Sequence, residues 1–404
     1  MELTTGLPLE GIRVLELART VAGPFCAMTL ADMGAEVIKI EEPRHGDETR
    51  AMAPLWNGEG AVYLAVNRNK RSIGIDIKTD EGRELVLALA EKADVLIENF
   101  RAGTADRLGL GYDVVSARNP RIVYCSISGF GRTGPVAQKP AYDFILQGYG
   151  GLMSVTGTPD GEPVRVGYPT VDVTAGLLAY GGIMTALWVR ERTGRGQHVS
   201  SSLLAGQVAT MSHFGISAQA TGRAPQPMGS AVGPVVPYQA FQAADRPFLL
   251  AVGNDGLWRR FCPAMGHPEW LDDPRFVDNT TRVENREVLV GILTEIFRTR
   301  TAAEWVELLG EAGVPAGLIH TVPEVIDDPQ VLHEELYVPL PHPKIPELRV
   351  GGVPVKLSET PGKVRTPPPR LGEHTGAILQ ELGLGTERVS ALAEAGVISR
   401  NEAD

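Results

Sequence analysis

The chain has 404 residues, 43% hydrophobic and 22% charged, a globular composition with length for two or three domains. Its formal net charge is -11 with a pI near 5.3, and no basic run interleaved with aromatics appears, which argues against a nucleic-acid partner. Three cysteines, Cys26, Cys125 and Cys262, lack C-x-x-C spacing, which argues against a disulfide scaffold or a structural zinc site and predicts reduced, partly buried thiols.

The N-terminus, MELTTGLPLEGIRVLEL, has no basic region followed by a long apolar stretch, so no signal peptide is expected. No apolar run reads as long enough to span a bilayer, and the expected setting is soluble and cytoplasmic. Ile12–Leu17 reads as a strand. Gly23-Pro24 opens a helix over Phe25–Met33 that Gly34 ends. Strands follow at Glu36–Ile40 and Ser72–Ile77. Thr79 or Asp80 caps a helix over Glu81–Ala93, and Val95–Ile97 and Ile122–Ile127 are further strands. This alternation predicts a doubly wound α/β domain built on a parallel sheet. A long apolar helix follows Asp172. Residues 221–237, rich in Gly and Pro, read as a linker. Beyond it, a strand at Pro247–Val252 and helices near 255–265, 283–298 and 301–312 suggest a smaller α+β domain over 238–330. The Pro-rich stretch 338–370 reads as an extended return. The last helices, near 373–382 and 387–396, have nothing local to pack on. The expected organisation is therefore 1–220 as the large domain, 221–237 as linker, 238–330 as the small domain, and 331–404 as a return that rejoins the large one.

Gly129, Gly131 and Gly134 have G-x-G-x-x-G spacing behind the strand ending at Ile127. A dinucleotide fingerprint needs its third glycine inside a helix and an acidic residue about twenty positions on. Here Pro135 follows Gly134 directly, which blocks that helix, and the acidic residue is absent. The stretch reads as a turn beside a site, not as a dehydrogenase loop.

Several stretches together resemble the class III CoA-transferases, the CaiB/BaiF and formyl-CoA transferase family. They are LEGIRVLELARTVAGPFCAMTLADMGAEVIKIEEPRHGDETR, NRNKRSIGIDIKTDEGRE, ADVLIENFRAGTADRLGLGY, YCSISGFGRTGP and TGRGQHVSSSLL. SHFGISAQATG, VPYQAF and TPPPRLGEHT are similar to the branch that moves CoA between succinate and glutarate-like dicarboxylates. The resemblance implies a Rossmann-like large domain made from both chain ends, an inserted small domain, and a homodimer whose two subunits interlock. It implies acyl-CoA and a carboxylic acid as substrates, with no tightly bound cofactor and no metal.

The resemblance places the nucleophile at Asp172, in GYPTVDVTAGLLAY. The residue pattern alone reads Asp172 as a helix N-cap, and the two readings are compatible because a helix N-terminus favours a carboxylate. The implied route is covalent, through an aspartyl-acyl anhydride and an aspartyl-CoA thioester. Carried over by position, Arg19, Ala22, Ile75, Lys78, Asn99, Phe100, Arg107 and Lys139 border CoA. Arg44 stands in for a basic residue that the family has where Glu42-Pro43 lies here. Gly253, in VGNDG, matches loosely a loop whose N–H groups stabilise oxyanions. Val21 replaces the glutamine with which formyl-CoA transferase handles oxalate, which disfavours formate and oxalate. An arginine suits the second carboxylate of a diacid. Arg19, Arg50 and Arg68 are candidates, with Arg68 favoured, and His213 is a further pocket candidate.

Two rival functions are open. An α-methylacyl-CoA racemase needs a histidine base before an aspartate, but this chain reads Ala141-Tyr142-Asp143, and an unperturbed tyrosine is a poor base at neutral pH. Tyr142 is thus the discriminating substrate-site position. A CoA-binding module without turnover is the other rival, and retention of Asp172 argues against it.

Overall fold

The structure, a computed structural model, describes residues 6–399; the first residues read for a signal segment lie outside that range. The N-terminal half supplies six parallel strands. These are β1 (Arg13–Glu16), β2 (Glu36–Glu41), β3 (Lys70–Gly74), β4 (Val95–Glu98), β5 (Val123–Ser128) and β6 (His198–Ser202). Their order is β3-β2-β1-β4-β5-β6, with every neighbouring pair parallel. The chain moves outward from β1 to one edge, returns, and moves from β4 to the other edge. The winding therefore reverses between β1 and β4, the point at which doubly wound folds open a crevice. All residues of β4 and β5 are buried, which is why both read as unbroken apolar runs.

Helices cover both faces. On one face, α1 (Ala22–Asp32) and, later in the chain, the 24-residue α4 (Thr170–Thr193) pack over Val14, Val37, Ile97 and Cys125. On the other, α2 (Asp80–Glu91) covers Leu15, Ile38 and Leu96. Thr79 caps α2 by accepting from the Gly82 N–H. Between these lies the short α3 (Asp143–Tyr149). Two boundaries and one unread strand differ from the sequence reading. Helix α1 begins at Ala22, with Pro24 in its first turn, where a missing N–H has no cost. Strand β3 begins at Lys70 and ends at Gly74, before Ile77. Strand β6, HVSSS, carries no apolar run, and its register comes from pairing with β5.

Helix α4 also corrects an expectation, because its length and mean hydropathy of 1.3 suit a membrane-crossing segment. In the fold, Ala175, Ala179, Ile183 and Ala186 form its buried stripe. At Gly176 an added Cβ would lie 2.6 Å from the Ala22 carbonyl oxygen, so α1 and α4 meet backbone to side.

Contacts divide the chain into two units. One holds the described residues up to Leu152, Arg165–Gly222 and those from Pro329 onward; the other holds Met153–Val164 and Arg223–Asp328. The second unit has an antiparallel sheet of β7 (Tyr238–Gln242), β8 (Pro247–Ala251) and β9 (Ala316–Leu318), with β8 central. Its helices α5 (Asp255–Ala264), α6 (Arg286–Phe297) and α7 (Ala302–Glu311) pack Trp258, Phe261, Phe297 and Trp305 into one core. In the first unit, the Pro-rich return contains a hairpin of β10 (Tyr337–Pro339) and β11 (Arg349–Gly351). Then α8 (Thr375–Glu381) and α9 (Thr386–Glu394) bring Ile378, Leu379 and Leu392 onto the α2 face of the six-stranded sheet. Ile398 bridges Ile75, and the Gly372 N–H donates to Ser72 Oγ at 2.9 Å.

Candidate active site

A cleft of about 410 Å³ opens at the carboxyl ends of the strands, beside the winding reversal. The turn after β1 supplies Arg19, Thr20, Val21 and Ala22, and the turn after β4 supplies Asn99 and Phe100. Ser128 and Gly129 end β5, Lys139 and Tyr142 approach α3, and Asp172 stands in the first turn of α4. Asn99 joins two of these turns, since its Oδ1 accepts from the Arg19 N–H at 2.9 Å and its Nδ2 donates to the Arg19 carbonyl at 2.8 Å.

The glycine-rich stretch behaves as its prolines predict. Gly131 and Gly134 take φ of +104° and +99°, and no helix starts before Asp143. At Gly129 an added Cβ would lie 2.1 Å from Ala141 Cβ, so only glycine lets the chain fold back here. That return carries Lys139 and Tyr142 to the cleft.

Asp172 is not the cap of α4. The helix begins at Thr170, two residues earlier, and a side chain from another element takes the capping role. Asp143 Oδ2 accepts from the Val171 N–H at 2.7 Å and from the Asp172 N–H at 3.3 Å, while Asp143 Oδ1 accepts from Gln147 Nε2. Burial, and then the charge of Asp143, push the Asp172 carboxyl up to about 7. A carboxylate of that basicity is a stronger nucleophile than an ordinary aspartate. Sequence reasoning missed Asp143 as a site residue, because it reads locally as the start of its own helix. Thr20 and Glu48 were also missed; both line the cleft, and Thr20 Oγ1 donates to Glu48 Oε1 at 2.9 Å.

The structure thus brings together Asp172, Arg19, Ala22, Asn99, Phe100, Lys139 and Tyr142. Arg107 stands one step behind, donating to the Thr104 hydroxyl, which itself lines the cleft. The remaining candidates lie elsewhere. Ile75 is a core residue of the α2 face. Lys78 is exposed on the turn before α2, and Arg44 is exposed after β2, its N–H bonded to Glu42. Arg68, the favoured partner for a distal carboxylate, is buried and spent on Asp32, with Nη2 to Oδ2 at 2.6 Å. Arg50 is spent on Glu41 in the same way. Pairing with Asp32 and Glu41 occupies both, and sequence alone does not reveal it; Arg19 is the one of the three that lines the cleft. His213 lies tilted against the Phe214 ring and is not among the cleft's lining residues, which include no histidine. Gly253 belongs to the second unit, directly before Asn254, the cap of α5. The three cysteines are buried and unpaired.

The chain belongs to CoA-transferase family III, which it matches over residues 9–375. The human succinyl-CoA:glutarate CoA-transferase is 40% identical over 397 residues, covering 98% of this chain and 91% of that protein. The succinate–glutarate CoA-transferase of Agrobacterium fabrum is 42% identical over 391 residues, covering 93% and 96%. Among solved structures, a CaiB/BaiF family protein from Brucella suis superposes with a TM-score of 0.84 at 40% identity, covering 93% of this chain and all of that one.

Proposed function

We propose that this CoA-transferase moves CoA from succinyl-CoA to glutarate or a similarly short dicarboxylate, with Asp172 as nucleophile. The observation that carries this reading is a basic, half-buried Asp172 in a cleft that also holds Arg19 and Lys139. Relatives at 40% and 42% identity that act on succinate and glutarate support the substrate class.

Asp172 attacks the thioester carbonyl of succinyl-CoA, which forms a mixed anhydride and expels the CoA thiolate. The thiolate attacks the aspartyl carbonyl and breaks the anhydride, giving aspartyl-CoA and free succinate. The acceptor carboxylate then attacks aspartyl-CoA, forming a second anhydride and releasing the thiolate again. Attack of the thiolate on the acceptor's carbonyl yields the new acyl-CoA and restores the Asp172 carboxylate. No proton is consumed, so a cleft without a histidine suffices. The racemase reading lacks that histidine, and Tyr142 stands at its position.

Cations suit the phosphates of CoA, and Lys139 and Arg107, reaching the cleft directly or through Thr104, are assigned to them. Arg19 is left for the acceptor's far carboxylate, where a planar guanidinium pairs in two bonds. The assembly we assign is an interlocked homodimer in a reducing, cytoplasmic compartment. Leu177, Leu178 and Trp188 form an exposed apolar stripe on α4, and a second subunit would cover it.

The test is CoA exchange from succinyl-CoA to glutarate, oxalate and monocarboxylic acids, using wild type and Asp172→Ala. Glutaryl-CoA formed by wild type alone, with an aspartyl-CoA adduct at Asp172 by mass spectrometry, supports the reading. Epimerisation of a 2-methylacyl-CoA without exchange overturns it.

A further inference from the structure

The turn between β1 and α1 combines an unfavourable backbone with an unusual support. Thr20 has φ of +70°, a left-handed conformation that a β-branched residue strongly resists. Its N–H points at the Asp47 carboxylate, 3.3 Å from Oδ1 and 3.2 Å from Oδ2. Asp47 is itself buried and fixed, accepting from the Thr49 N–H and hydroxyl at 3.0 and 2.7 Å. Behind it stands Lys39, on β2, whose ammonium is wholly buried 2.9 Å from Asp47 Oδ2 and 3.0 Å from Glu16 Oε1. The same ammonium donates to the Ala18 carbonyl at 2.9 Å.

A second buried ammonium repeats the device. Lys70, on β3, lies 2.8 Å from Glu16 and donates to the Pro24 carbonyl at 2.9 Å. The two lysines therefore grip the main chain on either side of Arg19–Gly23, the segment whose first four residues wall the cleft. Burial works against the charge on Lys39, but Glu16, Asp47 and Glu41 outweigh it and hold its pKa above that of an ordinary lysine. A buried ionic cluster of this kind contributes little net stability compared with apolar packing, so its presence beneath a strained turn calls for another explanation. The turn also reaches the nucleophile's helix, since the Ala22 carbonyl sits against Gly176, one helical turn beyond Asp172.

We propose that Lys39 and Asp47 are positioning residues for the transfer reaction. They hold Thr20 at positive φ and thereby set the wall of the cleft relative to Asp172. This rests on the transferase reading of that cleft.

The experiment measures CoA transfer from succinyl-CoA to glutarate by wild type, Asp172→Ala, Asp47→Asn, and Asp47→Asn combined with Thr20→Gly, with a thermal melt of each. Thr49 keeps an acceptor at Oδ1, so asparagine turns its amide NH2 toward the Lys39 ammonium, donor against donor, and leaves the Thr20 N–H only the 3.3 Å contact to Oδ1; the tether loses its charge and its anchor with little change of volume. The expected result for Asp47→Asn is a kcat lower by about 10- to 100-fold, with KM for succinyl-CoA within about 3-fold of wild type. Adding Thr20→Gly restores at least about 3-fold of kcat, because glycine occupies positive φ without a tether. A kcat per folded enzyme equal to wild type, or a loss that Thr20→Gly leaves untouched, overturns the proposal. If Asp47→Asn does not fold, Lys39→Met with and without Thr20→Gly is read by the same criteria. Transfer absent from wild type, or undiminished in Asp172→Ala, instead sinks the transferase reading, and the positioning role falls with it.

Discussion

The nucleophilic role proposed for Asp172 places two demands on one side chain, which must be basic enough to attack and ionised enough to do so. With its carboxyl pushed up to about 7, kcat/KM for succinyl-CoA should fall tenfold per pH unit in acid, with the limb centred near 7. Asp143→Asn removes the neighbouring charge, so the limb should move to lower pH, while burial keeps it above that of a free aspartate; a pH–rate profile checks both. Stability follows the same shift. Folded Asp172 keeps its proton to about 7, whereas the unfolded side chain loses it near 3.8. The folded state binds more protons between those values, so this contribution is full in acid and is lost as pH rises through 7. Asp172→Asn should therefore gain on wild type in Tm progressively as pH rises from about 4, exceeding it by about 1–3 °C at pH 8, while transfer is abolished throughout. Roles at this scale were only partly legible in the sequence. Asp172 was legible as a nucleophile through the family resemblance alone; the apolar helix after it suggested an N-cap, a role that Asp143 takes instead. The fates of Arg68 and Arg50 were not legible, because Asp32 and Glu41 reach them from other elements.

Elements carry the next level of constraint. Gly176 lets α4 settle on α1, and Gly176→Ala brings a methyl within 2.6 Å of the Ala22 oxygen. The expected loss is about 1–3 kcal/mol in a urea melt, as for overpacked cores, together with reduced transfer because Ala22 lines the cleft. Gly291, inside α6 with nothing within 4 Å of an added Cβ, makes the contrast. Gly291→Ala should stabilise the protein by about 0.5–1 kcal/mol through helix propensity. Apolar strands such as β4 and β5 were legible because they are buried on both faces. Strand β6 was not, for HVSSS has no pattern of its own and is made a strand by β5. The start of α4 was misplaced for a similar reason, because the group capping it, Asp143, lies 28 residues away from Val171 in sequence.

For the whole molecule, the outward stripe of α4 predicts assembly. Leu177 and Trp188, 50% and 62% exposed, lie three helical turns apart on one side. Wild type should sediment as two chains of 43.3 kDa; Trp188→Glu should shift the population toward one chain and make Tm depend on protein concentration.

The end of the chain finishes the core of the first unit. Leu15, Ile38 and Ile73 share one hydrophobic cluster with Ile378, Leu379, Leu392 and Ile398, and Gly372 reaches back 300 positions to Ser72. During synthesis the sheet is made long before its last cover exists. At the usual pace of translation that interval is on the order of 15–60 s, in which an apolar sheet face stands open on the ribosome. A chain truncated before Thr375 should therefore aggregate, even though every residue of the cleft has been made.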